Sequence, residues 1–151
     1  MKICEIKEHK KLYLDLLLLA DEQESMIDRY LQQGTMFALT GERGVKAVCV
    51  VTDEGDGILE LKNIAVRPEF QRQGLGRELI RFLQEKYWDQ YRLMQVGTGD
   101  SPLTVPFYES CGFRRSHCVK NFFTDHYDHP IFECGKQLVD MVYLQMKLGK
   151  V

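Results

Sequence analysis

Apolar and polar residues alternate from Met1 to Ile6, the pattern of a half-buried edge strand. Lys7 to Leu19 reads as a helix, with Leu12, Leu16 and Leu19 on one face. Asp21 stands where it can cap a second helix over Glu22–Gln33, closed by Gly34. Two β-rich runs, Met36–Thr40 and Val45–Thr52, meet at Gly41-Glu42-Arg43-Gly44, a hairpin signal. Asp53–Gly57 is an acidic turn into a strand over Ile58–Val66. Beyond it, Leu75, Leu79, Ile80, Phe82, Leu83 and Tyr87 recur at spacings of three and four, so a helix ending near Trp88 has one apolar and one charged face. Tyr91–Val96 is a further strand, Pro102–Ser110 a short helix stopped by Cys111-Gly112, and Phe113–Phe123 and Asp140–Lys147 the last two strands. Antiparallel pairing first, then a strand–helix–strand crossover, predicts an α/β (α+β) fold: a mixed, mostly antiparallel sheet with helices on both faces. Without repeats, linkers or low-complexity runs, residues 1–151 are expected to form one domain.

The junction in the middle of this pattern carries the chemistry. The Ile58 strand breaks at Arg67-Pro68-Glu69-Phe70 and passes through Gln71-Arg72-Gln73-Gly74-Leu75-Gly76 into the amphipathic helix. A first helical turn has backbone N–H groups without partners and the positive end of the helix dipole, which suits an anion. Gly74 and Gly76 leave room for a phosphate to approach the backbone, and Arg72 and Arg77 add charge. The plainer alternative is a strand–turn–helix connection whose glycines serve only the turn. Neither a P-loop ending nor Rossmann glycine spacing is present.

Val66-Arg67-Pro68 followed by Gln71 to Gly76 resembles the acetyl-CoA signature of the GNAT acetyltransferases, (Gln/Arg)-x-x-Gly-x-(Gly/Ala) after a strand. Phe107-Tyr108-Glu109-Ser110-Cys111-Gly112-Phe113 is similar to the family's Tyr-Glu-x-x-Gly-Phe segment, in the right order and at about the right distance. The resemblance extends along most of the chain. It implies a sheet splayed at its centre and acetyl-CoA as cosubstrate. The diphosphate would lie on Gln71, Arg72, Gln73, Gly74, Leu75, Gly76 and Arg77, and the pantetheine arm would pair with main-chain groups of Ile64 and Val66, as in strand addition. A backbone N–H near Ala65 or Val66 would face the oxyanion. An asparagine that contacts pantetheine in many members corresponds here to Asp100, which is equally suited to cap the next helix.

Acetyl transfer to an amine by direct attack, through a tetrahedral intermediate, sets three tasks. An alkylamine with pKa about 10.4 must lose a proton, the oxyanion needs fixed donors, and the leaving thiolate benefits from an acid. Tyr108 is the candidate acid, since a phenol is protonated at pH 7 and donates; the alternative is a core tyrosine. Glu60 is the candidate base, placed relative to Gln71 as is the glutamate used by some family members. Strand alternation would set it on one face with Lys62 and Ile64. The alternatives are a solvent-facing carboxylate or a water chain.

Composition narrows the options. Apolar residues are 44% and charged residues 28%, ordinary for a globular protein. A net charge of −2 argues against nucleic-acid binding, while Arg67–Arg81 is locally basic. Five scattered cysteines give no zinc spacing and read as mostly buried thiols, with Cys111 structural rather than nucleophilic. No signal pattern or membrane-length apolar run occurs, so the cytoplasm is expected, with no membrane partner. The stretch Phe122–Glu133 is aromatic and polar together. It resembles a segment of an uncharacterised bacterial GNAT subgroup, beside the acceptor entrance of the family fold. His126, Tyr127 and Glu133 are its candidate acceptor contacts, against a loop packed on its own aromatics; no metal site is expected from its histidines. The expected partners are acetyl-CoA, a small-molecule amine and, through the final strands, a second copy in a homodimer. Competing functions are a non-catalytic acyl-CoA sensor or interaction module, and a protein acetyltransferase acting on lysine or an N-terminus.

Overall fold

A computed structural model describes residues 1–149. The chain runs β1 (Lys2–Ile6), a 3-10 turn (Lys10–Tyr13), α1 (Leu14–Ala20), α2 (Glu24–Ile27), β2 (Thr35–Gly41), β3 (Gly44–Gly55) and β4 (Ile58–Val66). It continues through α3 (Leu75–Lys86), β5 (Leu93–Gly99), α4 (Val105–Ser110), β6 (Arg114–Val119), α5 (Phe122–His126), β7 (Phe132–Glu133), β8 (Lys136–Gln137) and β9 (Met141–Lys147). Seven strands make one sheet in the order β1-β2-β3-β4-β5-β9-β6, and β7 and β8 form a separate small ribbon. All neighbours are antiparallel except β4 and β5, whose parallel pairing is made possible by the crossover through α3. The α+β class and the helices on both faces match the expectation from the sequence pattern.

A tight turn sets the register between β3 and β4. Gly55 pairs with Ile58 across Asp56-Gly57, which have φ of 54° and 75°. Positive φ at both central residues is the two-residue hairpin turn that follows strand twist, and Asp-Gly is its usual sequence. The hairpin lengthens β3 to Gly55, where the sequence suggested that the turn begins at Asp53.

Burial divides the core by sheet face. On one face, Leu75, Leu79, Ile80 and Leu83 of α3 pack with Leu59 and Leu61 of β4, and Val105 and Tyr108 of α4 join them. On the other, Leu16, Leu17 and Ile27 pack with Met36, Ala38, Val48, Val50 and Ala65. β4 changes phase between the two. Val50 pairs with Asn63 and Val51 with Leu61, so Lys62 is an extra residue in a β-bulge. Ile64 and Val66 therefore pack on the same cluster as Leu59 and Leu61. Glu60 shares no face with Ile64, contrary to simple alternation.

The N-terminal helices differ most from the pattern. α1 begins only at Leu14, because His9 adopts a left-handed conformation and a 3-10 turn follows. Leu12 and Leu19 are exposed, whereas Leu16 and Leu17 are buried: an unbroken leucine run has no phase to read. α2 is a single turn capped at Gln23, and Asp21 does not cap it. Near the C-terminus, β6 stops at Val119 and Phe122–Phe123 enter α5, where Phe123 packs with Ile131 and Leu138 in a satellite cluster. Of the cysteines only Cys49 is fully buried; Cys118 and Cys134 are exposed, and all five are free thiols.

Lys10 is buried, and its ammonium donates to the carbonyls of Leu31 (2.9 Å), Gln32 (3.3 Å) and Gly34 (2.7 Å). It thereby closes the end of the α2 segment. Lys10→Met keeps the aliphatic stem but strands these carbonyls, and should lower the unfolding free energy by about 2 kcal/mol. Urea denaturation measures the loss, and an unchanged midpoint would show that water replaces the ammonium at no cost.

Candidate active site

β4 and β5 pair only from Ile58↔Leu93 to Leu61↔Val96. Past that point the bulge at Lys62 turns β4 away, and a cleft of about 450 Å³ opens between Lys62–Val66 on one side and Gly97–Gly99 on the other. Backbone groups on this edge of β4 have no strand beside them, so they can pair with an extended ligand. Gln71 stands at the cleft's rim and donates to the Val66 carbonyl at 3.0 Å.

The turn before α3 fits an anion at one point above all. Gly74 is the N-cap, with φ of 82°, and nothing lies within 4 Å of where its Cβ would be. Arg72 is also left-handed, at φ 64°. The first intrahelical bond is Glu78 N–H to the Gly74 carbonyl, so the N–H groups of Leu75, Gly76 and Arg77 precede the helical ladder. Leu75's side chain is in the core, leaving only its backbone for a ligand. Gly76 serves packing, since a Cβ there would meet Phe107 of α4 at 3.2 Å. Arg77 is already occupied, donating to the Ser110 carbonyl at 2.9 Å and to Ser110 Oγ at 2.8 Å.

Those same contacts hold α4 and place Tyr108. Pro106 occupies the helix's first turn, where a missing N–H costs nothing. Tyr108 packs edge-on against Phe107 and Phe113 and lines the cleft. Among the described residues its hydroxyl has no hydrogen-bond partner, which leaves it free to donate to a ligand. Burial, with smaller effects of Cys111 and Glu133, pushes its pKa well above the ordinary tyrosine value, so the phenol stays protonated. Cys111 caps the same helix with its thiol raised by burial, the opposite of an activated nucleophile.

A second cavity of about 440 Å³ adjoins the first and shares Asp21, Leu61, Lys62, Gly97, Tyr127 and Met141 with it. Its wall contains four carboxylates, Asp21, Asp53, Glu54 and Glu60, against the cations Arg29 and Lys62. Glu60 is only 5% exposed, so it is not a solvent-facing carboxylate. Lys62 Nζ lies 2.6 Å from its Oε2, Gln95 donates to Oε1 at 2.7 Å, and Tyr143 donates to Oε2 at 3.4 Å.

The aromatic segment closes over the junction of the cavities. Tyr127 donates to Asp21 Oδ1 at 2.7 Å, the Asp128 N–H donates to Gln23 Oε1 at 3.0 Å, and His129 Nε2 lies 3.2 Å from Glu22. Glu133 lines the cleft near Tyr108, at the start of a tight hairpin whose turn residues Cys134 and Gly135 have φ of 53° and 75°. His126 lines neither cavity; it is exposed against the Phe122 ring. Asp100 is also outside both. It pairs with Arg115 at 3.2 Å and does not cap α4, whose N-cap is Thr104.

The structure thus brings Tyr108, Ile64, Ala65, Val66, Gln71, Tyr127 and Glu133 to one cleft and Glu60 to its neighbour. Asp21 was missed as a site residue, because an aspartate before a helical stretch reads as a cap and its partners Tyr30 and Tyr127 are remote in sequence.

Comparison with known proteins agrees with this geometry. Residues 32–115 match the model of the acetyltransferase (GNAT) domain. The uncharacterised N-acetyltransferase YvbK of Bacillus subtilis is 35% identical over 136 residues, covering 89% of this chain and 88% of that protein. The structure of a GNAT family acetyltransferase from Elizabethkingia anophelis with acetyl-CoA bound superposes with a TM-score of 0.92 at 34% identity, covering 97% of each chain. A Bacillus subtilis acetyltransferase in complex with CoA gives a TM-score of 0.89 at 34% identity, covering 97% of this chain and 98% of that one. The chain belongs to the GNAT acetyltransferase family and is an N-acetyltransferase.

Proposed function

We propose that the protein, acting as one catalytic domain, transfers the acetyl group of acetyl-CoA to the primary amine of a cationic small molecule. The observation that carries this is the continuity of the two cavities. The cleft along the open edge of β4, lined by Tyr108, adjoins a second chamber whose wall carries four carboxylates against two cations. When bound, acetyl-CoA supplies an activated thioester. The N–H groups of Leu75, Gly76 and Arg77 hold its diphosphate at the bare position of Gly74, with Arg72, Gln71 and Gln73 alongside. The β4 edge at Ile64 and Val66 receives the pantetheine amides, and a backbone N–H near Ala65 faces the developing oxyanion. Tyr108 donates its proton to the departing sulfur. Glu60, tied to Lys62, gives the second chamber a fixed negative wall for an ammonium or guanidinium body, and Tyr127 and Glu133 close the entrance. Access limited by the strapped aromatic segment favours a small acceptor over a protein tail. The exposed outer edge of β6 is the surface on which a second copy would dock.

Acetyl-CoA should raise the melting temperature in proportion to the logarithm of ligand over Kd, whereas NAD at equal concentration should do so far less. Gly74→Glu should abolish that stabilisation and Gly74→Asn, which tolerates positive φ, should keep most of it. Equal shifts in the two variants would place the diphosphate elsewhere.

Tyr108→Phe should lower kcat about 100-fold with acetyl-CoA affinity unchanged, read as thiol release with an amine panel. Because the Tyr108 pKa lies above the ordinary value of about 10, the wild type should lose no activity through this group as pH rises from 7 to 9. An unchanged kcat in the variant across that range would remove the assignment.

A further inference from the structure

Resting on the acetyl-transfer reading above, we propose that Asp21, at the junction of the two cavities, is the base that takes the proton from the acceptor amine.

The acyl carbon and the attacking nitrogen must meet where the donor cleft and the acceptor chamber join. Six residues line both, and only Asp21, Lys62 and Tyr127 among them carry a group that handles protons. Lys62 is held by Glu60 at 2.6 Å. Tyr127 spends its hydroxyl proton on Asp21. That leaves the Asp21 carboxylate. Glu60 lines only the acceptor chamber, and its charge is already paired with the Lys62 ammonium.

Asp21 is also positioned as a base needs to be. Its Oδ1 accepts from Tyr127 and its Oδ2 from Tyr30 at 3.1 Å. Tyr30 in turn accepts from Asn63 Nδ2 at 3.1 Å, and the same amide donates to the Leu17 carbonyl at 3.0 Å. Three separate parts of the chain thus fix one carboxylate: the bulged strand β4, the turn after α2 and the aromatic segment. The Gln23 N–H bonds the carboxylate as well, and the two oxygens together keep capacity for one further donor, which an ammonium supplies. Burial holds the carboxyl above the usual carboxylate range, with Tyr127 and Tyr30 pulling the other way and Glu22 adding to the rise. The other charged groups lining the acceptor chamber are the cations Arg29 and Lys62 and the carboxylates Asp53, Glu54 and Glu60.

The proton balance closes. Asp21 takes one proton from the ammonium, the neutral nitrogen adds to the thioester carbon to give the tetrahedral intermediate, and its collapse breaks the C–S bond. The sulfur receives the Tyr108 proton, the second nitrogen proton restores the phenol, and Asp21 releases its proton to solvent.

The test is the pH dependence of kcat/KM for thiol release from acetyl-CoA, using whichever amine of a panel (putrescine, agmatine, tyramine, lysine methyl ester) gives the fastest wild-type turnover. Asp21→Asn should lower kcat/KM by about 100-fold or more and remove the acidic limb of the profile, while the thermal shift with acetyl-CoA stays at the wild-type value. Tyr127→Phe leaves the carboxylate in place but removes a donor to its charged form, so the acidic limb should move to higher pH. Glu60→Gln should raise KM and leave that limb where it is. If Asp21→Asn retains the wild-type rate and limb, or if the limb disappears in Glu60→Gln instead, Asp21 is not the base. A wild type that binds acetyl-CoA yet releases no thiol with any amine overturns the functional reading, and the role of Asp21 with it.

Discussion

Past Leu61, β4 has a strand on one side only. Main-chain amides and carbonyls there face a gap, and in a protein interior such groups are costly unless they find partners. Everything around the site follows from this imbalance. The extended edge supplies a template for a linear ligand, the crossover delivers the start of α3 to one end of it, and α4 sets Tyr108 beside it. Below the gap, the pairing of Ile58–Leu61 with Leu93–Val96 keeps the sheet continuous, so the split does not divide the fold into halves.

The region that positions the donor was largely legible in the sequence. β-rich runs bounded by turns made β2, β4 and β9 readable, the three-and-four spacing made α3 so, and Gly74 stood out as a bare position before that helix, where the structure has φ of 82°. Gly76 was assigned to ligand approach, although its bareness admits Phe107. A glycine in sequence does not say whether its empty space is taken by a ligand or by a side chain. Arg77 shows the same ambiguity: its charge was evident, but its bond to Ser110, 33 residues away, was not.

The acceptor side was much less legible. The leucine run after Tyr13 has too few polar interruptions to reveal which residues point inward, and Phe122–Phe123 resemble strand residues until the satellite cluster around Leu138 is seen. Glu60 lost its expected neighbour on the strand face through one unpaired residue. Asp21 derives its importance from partners 9 and 106 positions away, a relation no local spacing encodes. The donor cleft is built on backbone geometry with a sequence signature, whereas the second chamber is lined by side chains gathered from distant segments.

The unpaired Lys62 also decides which residues of β4 share a face. Removing that one position would leave Leu59, Leu61, Ile64 and Val66 in perfect alternation, still on the α3 face, and Glu60, Asn63 and Ala65 together on the other. A shorter strand would present the same apolar residues to each of the two layers. One surplus residue thus separates Glu60 from the row of Ile64 while both apolar layers keep their members.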